Sequence, residues 1–341
     1  MNKSLIDSIS ALQEEHDFSG SVYVKDGEEV LADLSYGFAN RSEKIKNQGD
    51  TRYGIASGSK LFTAIAICQL VEKGKISFNT LLKDCLDIHF PFFDKGITIH
   101  QLLSHTSGIP DYFDEEIMED FEELWVKNPM YQIRKLKDFL PLFQDGTMKF
   151  PSGTRFHYNN AGYILLGLII EQASGQHFSE YVTEHIFYKL SMESGYFEMD
   201  ALPERTALGY IDQADGKWKT NVFSLPAKGG SDGGAYATVH DIARLWEALT
   251  EYKLLNKEIT DQLLAPHVRV DDTTAYGYGL WMKTEKNQVS KYLLMGYDPG
   301  VNFRAVFYPD IPLQIIVCSN QAGGAFDIAR GIEDELVRAK P

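Results

Sequence analysis

Strands at both ends of the chain bracket a middle that is helical, and this arrangement narrows the fold more than any other feature. Residues 19–25 and 29–36 read as two strands around the turn Asp26-Gly27. Residues 301–308 and 313–319 form a second pair around Pro309-Asp310. Residues 3–16 carry Leu5, Ile6, Ile9 and Leu12 at helical spacing, and a final helix over 325–340 closes the chain. The middle begins with a helix over 57–73, apolar at Leu61, Ala64, Ile65, Cys68 and Val71 and stopped by Gly74. Thr98 and Gln101 fit a capping box, Asn160 is placed to cap a helix over 163–173, and Thr238 with Asp241 caps another carrying Leu245, Trp246 and Leu249. The simplest architecture is an α/β domain built discontinuously from 1–56 and 226–341, with a mainly helical domain, 57–225, inserted between. A cleft, and with it the active site, is expected at the junction.

Charge and cysteine content narrow the function. The chain has 341 residues with 33 Lys+Arg against 48 Asp+Glu, a net charge of −15. A phosphate backbone and an anionic membrane surface both reward clustered cations, so neither nucleic acid nor membrane is expected as a partner. Cys68, Cys85 and Cys318 are odd in number and lack metal-ligand spacing, which speaks against a disulfide framework or a zinc site. The first residues contain no apolar signal-peptide core, because Glu14, Glu15, His16 and Asp17 arrive too early. The longest apolar stretches, 61–71 and 163–170, fall short of a bilayer span. A soluble, cytoplasmic protein is the expectation.

Two stretches carry chemistry. In Ser57-Gly58-Ser59-Lys60 the first and last residues share a helix face, so Ser57 Oγ and Lys60 Nζ can meet. A serine hydroxyl is a poor nucleophile until a base takes its proton, and a lysine desolvated beside it can serve. A helix N-terminus adds free N–H groups suited to a developing oxyanion. Ser59 lies about 100° round the helix from Lys60, so Ser57 is the better nucleophile. The second stretch is Tyr158-Asn159-Asn160: a phenol near a lysine ammonium ionises more easily and can shuttle a proton, while Asn160 can orient it or bind a substrate carbonyl. Taken singly, each also reads as a helix cap beside a solvated lysine or a core tyrosine.

Together, Ser57-x-x-Lys60 and Tyr158-x-Asn160 resemble the serine β-lactamase and penicillin-binding-protein family, in particular its class C-like branch with D-amino-acid peptidases and esterases. The surrounding text agrees: Phe18-Ser-Gly-Ser-Val22, Tyr36-Gly-Phe-Ala-Asn40, Leu102 through Pro110, and Tyr276-Gly-Tyr-Gly279. The resemblance runs from about residue 18 to about residue 320. It implies an α+β fold, an antiparallel sheet flanked by N- and C-terminal helices with an inserted mostly helical domain. It also implies Ser57 as the acylated nucleophile, Lys60 as proton acceptor or electrostatic partner, Tyr158 as general base or acid, and Asn160 as a substrate contact. No metal or organic cofactor is implied.

One stretch departs from the family pattern. Relatives show Lys/His-Thr/Ser-Gly on a strand lining the site, whereas here the text is Leu293-Leu-Met-Gly296-Tyr297-Asp298-Pro299-Gly300. Without gaps, Leu294-Met295-Gly296 takes the place of that triplet; with a three-residue deletion, Gly296-Tyr297 matches a Gly-His pair. Either way the cation is absent, which weakens recognition of a β-lactam or a C-terminal carboxylate more than acyl transfer itself. Lys291 or Arg304 is a substitute cation or a surface charge. Gly296 and Tyr297 are candidate substrate contacts, with a backbone N–H completing an oxyanion hole. Gly229-Gly-Ser231-Asp-Gly233 matches a nucleophile elbow but lacks the strand before and helix after, so it reads as a loop. His105 reads as structural, and Tyr276, Tyr278 and Trp281 either line a cleft or fill the core. The expected activity is a serine hydrolase acting through an acyl-enzyme on a small ester or amide, a D-amino-acid peptide among them. A β-lactamase or D,D-peptidase is the second reading, and a catalytically silent ligand- or partner-binding relative the third.

Overall fold

In the computed structural model the structure describes residues 2–337. Both chain ends enter one eight-stranded sheet. Its strands are β1 (Gly20–Asp26), β2 (Glu29–Tyr36), β3 (Val268–Arg269), β4 (Thr274–Tyr276), β5 (Trp281–Glu285), β6 (Gln288–Asp298), β7 (Val301–Phe307) and β8 (Leu313–Ser319), in the order β2-β1-β8-β7-β6-β5-β4-β3. Every pairing is antiparallel, and β1 meets β8 with Gly20 opposite Ser319 and Val22 opposite Val317. Residues 57–225 contribute no strand to this sheet.

The centre of the sheet is apolar on both faces because both are covered. Val22, Val24, Val306, Ile315 and Val317 face α1 (Lys3–Glu15) and α5 (Ala325–Leu336), which bury Leu5, Ile9, Ile328 and Ile332 at helical spacing. Residues of the opposite parity, Phe303, Ala305, Phe307, Ile316 and Cys318, share a core with the helical body. On that face Trp246 of α4 (Val239–Thr250) stacks on Phe307 at 4.2 Å between centroids. Thr238 caps α4 through Asp241 N, as the sequence predicts, and Thr98 and Gln101 make their capping box. The predicted closing helix ends at Leu336, and residues 338–340 of that prediction lie outside the described residues.

Two helices set the site. In α2 (Lys60–Glu72) every residue from Lys60 to Leu70 is buried, so this helix runs through the core with Lys60 as the one charge in its buried run. It packs against α3 (Asn160–Ser174), itself buried from Asn160 to Ile170. Both N-termini converge where the inner face of the sheet meets the helical body.

Candidate active site

The chain reaches α2 through a 3-10 turn, Ala56–Ser59, where the sequence reading has one continuous helix from residue 57. Residues three apart eclipse in a 3-10 turn, which brings Ser57 directly under the stem of Lys60. Ala56 holds φ = +44°, a left-handed conformation that costs a residue with a Cβ about 1 kcal/mol or more. That bend leaves the Ser57 side chain partly exposed while Ile55, Ala56, Gly58, Ser59 and Lys60 are buried. Ser59 spends its hydroxyl on the Ala56 carbonyl and accepts from Ala235 N, so it takes no part in the opening.

Lys60 Nζ lies 3.0 Å from Ser57 Oγ, 2.8 Å from Asn160 Oδ1 and 2.7 Å from the Asp232 carbonyl oxygen. Three segments distant in sequence thus close on one buried amine. The amine also sits over the rings of Tyr158, 4.8 Å from the centroid, and Tyr163, 5.5 Å away. Tyr158 lies between His105, at 4.4 Å, and Trp281, stacked at 5.8 Å. Here the structure corrects one expectation. Burial drives the Tyr158 phenol well above its ordinary range, and Glu115, Asp232 and Asp111 push the same way, with the Ser57 hydroxyl opposing. The lysine faces the ring, and the resting phenol is neutral.

Asn160 is not the cap of α3. Asn159 is: its Oδ1 accepts from Gly162 N at 2.7 Å and its amide donates to the Ile109 carbonyl. That frees the Asn160 side chain for Lys60. Asp111 accepts from the backbone N–H of Asn160 at 2.7 Å and of Ala161 at 2.9 Å, clamping the helix start. Burial raises the Asp111 carboxyl to about 7 against these bonds. His105 is structural, as predicted: it is buried, and its Nδ1 accepts from Asn159 N at 3.0 Å. Next to Tyr158, His157 Nε2 lies 3.0 Å from Asp114 Oδ1 and 2.7 Å from Lys149 Nζ, and Lys149 is also paired with Asp114. This internal ion cluster pins the loop that carries the phenol.

The stretch that departs from the family pattern forms the end of β6. Gly296 has no room for a side chain, since a Cβ there would lie 2.0 Å from the Ile55 carbonyl oxygen. The strand edge therefore rests directly on the turn carrying Ser57. Leu294 is buried in the core and the Tyr297 side chain is 54% exposed, so neither register of the family triplet supplies a cation. Lys291 and Arg304 do not substitute. Lys291 pairs with Glu333 of α5 on the far face, and Arg304 lies under Phe326, 5.3 Å from its ring. Asp298 and Val301 close a two-residue turn at Pro299-Gly300, where Gly300 has φ = +71°.

These elements enclose a cavity of about 650 Å³ lined by Ser57, Tyr158, Asn160, Gly296, Tyr297 and Trp281, so every predicted site residue except buried Lys60 reaches its wall. Residues that sequence reasoning did not single out also line it, chiefly Tyr112, Asp232 and Asp298. Tyr112 donates its phenol proton to Asp232, whose carboxyl burial raises and Lys60 opposes. Asp232 belongs to the glycine-rich loop, which is a loop as predicted; its Ser231 is fully buried and donates to the Tyr163 carbonyl. Of the aromatic candidates, Trp281 lines the cavity, while Tyr276 and Tyr278 are core residues, the latter bonded to His100.

The antiparallel sheet covered by helices on both faces, with a serine, a buried lysine and a tyrosine at the helix–sheet junction, defines a serine hydrolase of the β-lactamase and penicillin-binding-protein class. The Beta-lactamase family model matches residues 5–339, and the chain belongs to that family. Penicillin-binding protein 4* of Bacillus subtilis is 30% identical over 336 residues, 94% of this chain and 72% of that protein. The crystal structure of a penicillin-binding protein from Bacillus halodurans is 56% identical and superposes with a TM-score of 0.93, covering 96% of this chain and all of the other. A D-stereospecific amidohydrolase from Streptomyces sp. shares the fold at 22% identity, with a TM-score of 0.80 over 98% of this chain and 99% of its own. Among the described residues no helix is long and apolar enough to cross a membrane.

Proposed function

We propose that the chain hydrolyses a small ester or amide, D-amino-acid peptides included, through an acyl-enzyme on Ser57. The observation that carries this reading is the environment of Lys60 Nζ, held between Ser57 Oγ, Asn160 Oδ1 and the Asp232 carbonyl. A neutral amine has two N–H bonds and one lone pair. Nζ donates to all three oxygens; an amine that accepts the Ser57 proton keeps its two N–H bonds on the Asn160 and Asp232 oxygens and turns its lone pair to Ser57 Oγ.

In the first half-reaction Ser57 Oγ attacks the substrate carbonyl carbon as its proton passes to Lys60. The Tyr158 phenol donates a proton to the leaving oxygen or nitrogen as the scissile bond breaks, and regains one from the Lys60 ammonium. Water then attacks the acyl carbon, gives a proton to the same pair, and releases a carboxylic acid with Ser57 restored. Two backbone donors hold the oxyanion in this reading. Ser57 N–H belongs to the first turn of its helix, where N–H groups lack helical partners. On β6 the closed turn makes Asp298 and Gly296 the hydrogen-bonded positions toward β7, so alternation turns the Tyr297 N–H away from β7.

The absent cation disfavours a β-lactamase or D,D-peptidase, whose substrates carry a carboxylate. Intact-protein mass after exposure to a fluorophosphonate tests the central claim: one adduct on wild type and none on Ser57→Ala is expected. No adduct on either would favour a silent ligand-binding relative.

A further inference from the structure

The wall of the cavity contains five carboxylates, Glu115, Glu119, Asp120, Asp232 and Asp298, and no lysine, arginine or histidine. The nearby Lys60 is buried behind Ser57 with its Nζ engaged by three oxygens. Of the five, Asp298 differs in kind. Asp232 is engaged by Tyr112, Asp120 accepts from Glu122 N, and Glu115 and Glu119 are exposed on the rim. Asp298 is only partly accessible, and among the described residues its carboxylate has no hydrogen-bond or ion-pair partner. It is two residues along β6 from Gly296 and therefore on the same face, the one resting on the Ser57 turn. That spacing sets it about 7 Å further along the strand, roughly the span of two extended residues. Aromatic walls from Trp281, Tyr236 and Phe197 complete the space.

We propose that Asp298 is a specificity determinant that receives the ammonium group of the substrate, so that the site takes amine-bearing acyl compounds, aminoacyl esters or amides with a free amino group. This rests on the acyl-enzyme reading of the site and names its substrate class. A carboxylate lying between Ser57 and Asp298 would meet repulsion with no cation to offset it, whereas an ammonium gains a carboxylate and aromatic faces together. The strand that in neither register supplies a cation thus ends in a carboxylate here. Burial pushes the Asp298 carboxyl up to about 7, with Asp232 and Glu115 adding to the rise and Lys60 opposing it.

The test compares kcat/KM for phenylalanine p-nitroanilide, in both enantiomers, with the isosteric 3-phenylpropionyl p-nitroanilide, in wild type and Asp298→Asn. Wild type should prefer the amine-bearing compound at least tenfold for one enantiomer, and the variant should bring that ratio to about one. Asp298→Thr, which fits the same strand end, guards against a fold defect and should give the same collapse. A wild-type ratio at or below one, or a preference that survives in both variants, overturns the proposal while fluorophosphonate labelling of Ser57 leaves the hydrolase reading intact. Should neither anilide turn over, calorimetric binding of 2-phenylethylamine against 3-phenylpropionate decides the same point: tighter amine binding lost in Asp298→Asn supports it, equal or tighter binding of the acid refutes it.

Discussion

Asp298→Asn should make the protein more stable, and increasingly so as pH rises. Burial, reinforced by Asp232 and Glu115, lifts this carboxyl from its ordinary 3.8 to about 7. The folded chain therefore holds a proton that the unfolded chain has released, and stability falls as pH climbs through that window. Each pH unit of such a mismatch is worth ~1.4 kcal/mol, so an upper bound for the ionised group above pH 7 is about 4 kcal/mol. Asp298 borders an open cleft, and water there should halve that penalty to about 2 kcal/mol. Asparagine keeps the shape and carries no charge. Thermal unfolding of the two proteins should give midpoints differing by roughly 3 °C at pH 8, by less than half of that at pH 5, with no further divergence above pH 8. Equal midpoints at both pH values, or a variant less stable at pH 8, would refute the reasoning and mean that the carboxylate is already compensated in the resting protein. The substitution would thereby expose a cost that the fold carries for the sake of its substrate.

Three further outcomes follow from the geometry. Tyr158→Phe removes a phenol whose ring stays packed between His105 and Trp281, so kcat for a small ester should fall about 10²–10⁴-fold with the unfolding midpoint nearly unmoved. Gly296→Ala forces a Cβ to within 2.0 Å of the Ile55 carbonyl oxygen; the strand and the Ser57 turn must separate, costing roughly 2 kcal/mol by denaturant titration and most of the activity. The two neighbouring asparagines should part company: Asn159→Ala loses the cap of α3 and about 1–2 kcal/mol of stability, while Asn160→Ala chiefly loses the Lys60 contact, lowering fluorophosphonate labelling rate far more than the unfolding midpoint.

What the sequence determined by itself was local. The Ser57–Lys60 spacing, the caps at Thr98 and Thr238, and the alternation of the end strands are all set by geometry within a few residues of the chain. The same patterns made the fold class legible, because strands at both ends around a helical middle leave few ways to bury their apolar faces. Asn160 shows where such reasoning stops. Either asparagine of the pair satisfies the pattern of a helix cap, and only the packing of α3 against the Asp111 and Ile109 loop assigns the cap to Asn159 and turns Asn160 toward Lys60.

The electrostatic character of the site belonged wholly to the tertiary structure. Lys60 meets Asn160 across 100 residues and Asp232 across 172, and Asp298 arrives from the last third of the chain. Local spacing governs which neighbours can touch, but the field inside a cavity sums over every charge that folding brings to its wall and depends on how much water folding removes. For that reason the Ser57–Lys60 contact could be read from four consecutive residues, whereas the neutral Tyr158 phenol and the unpaired carboxylate facing the cleft emerged only once the distant segments were in place.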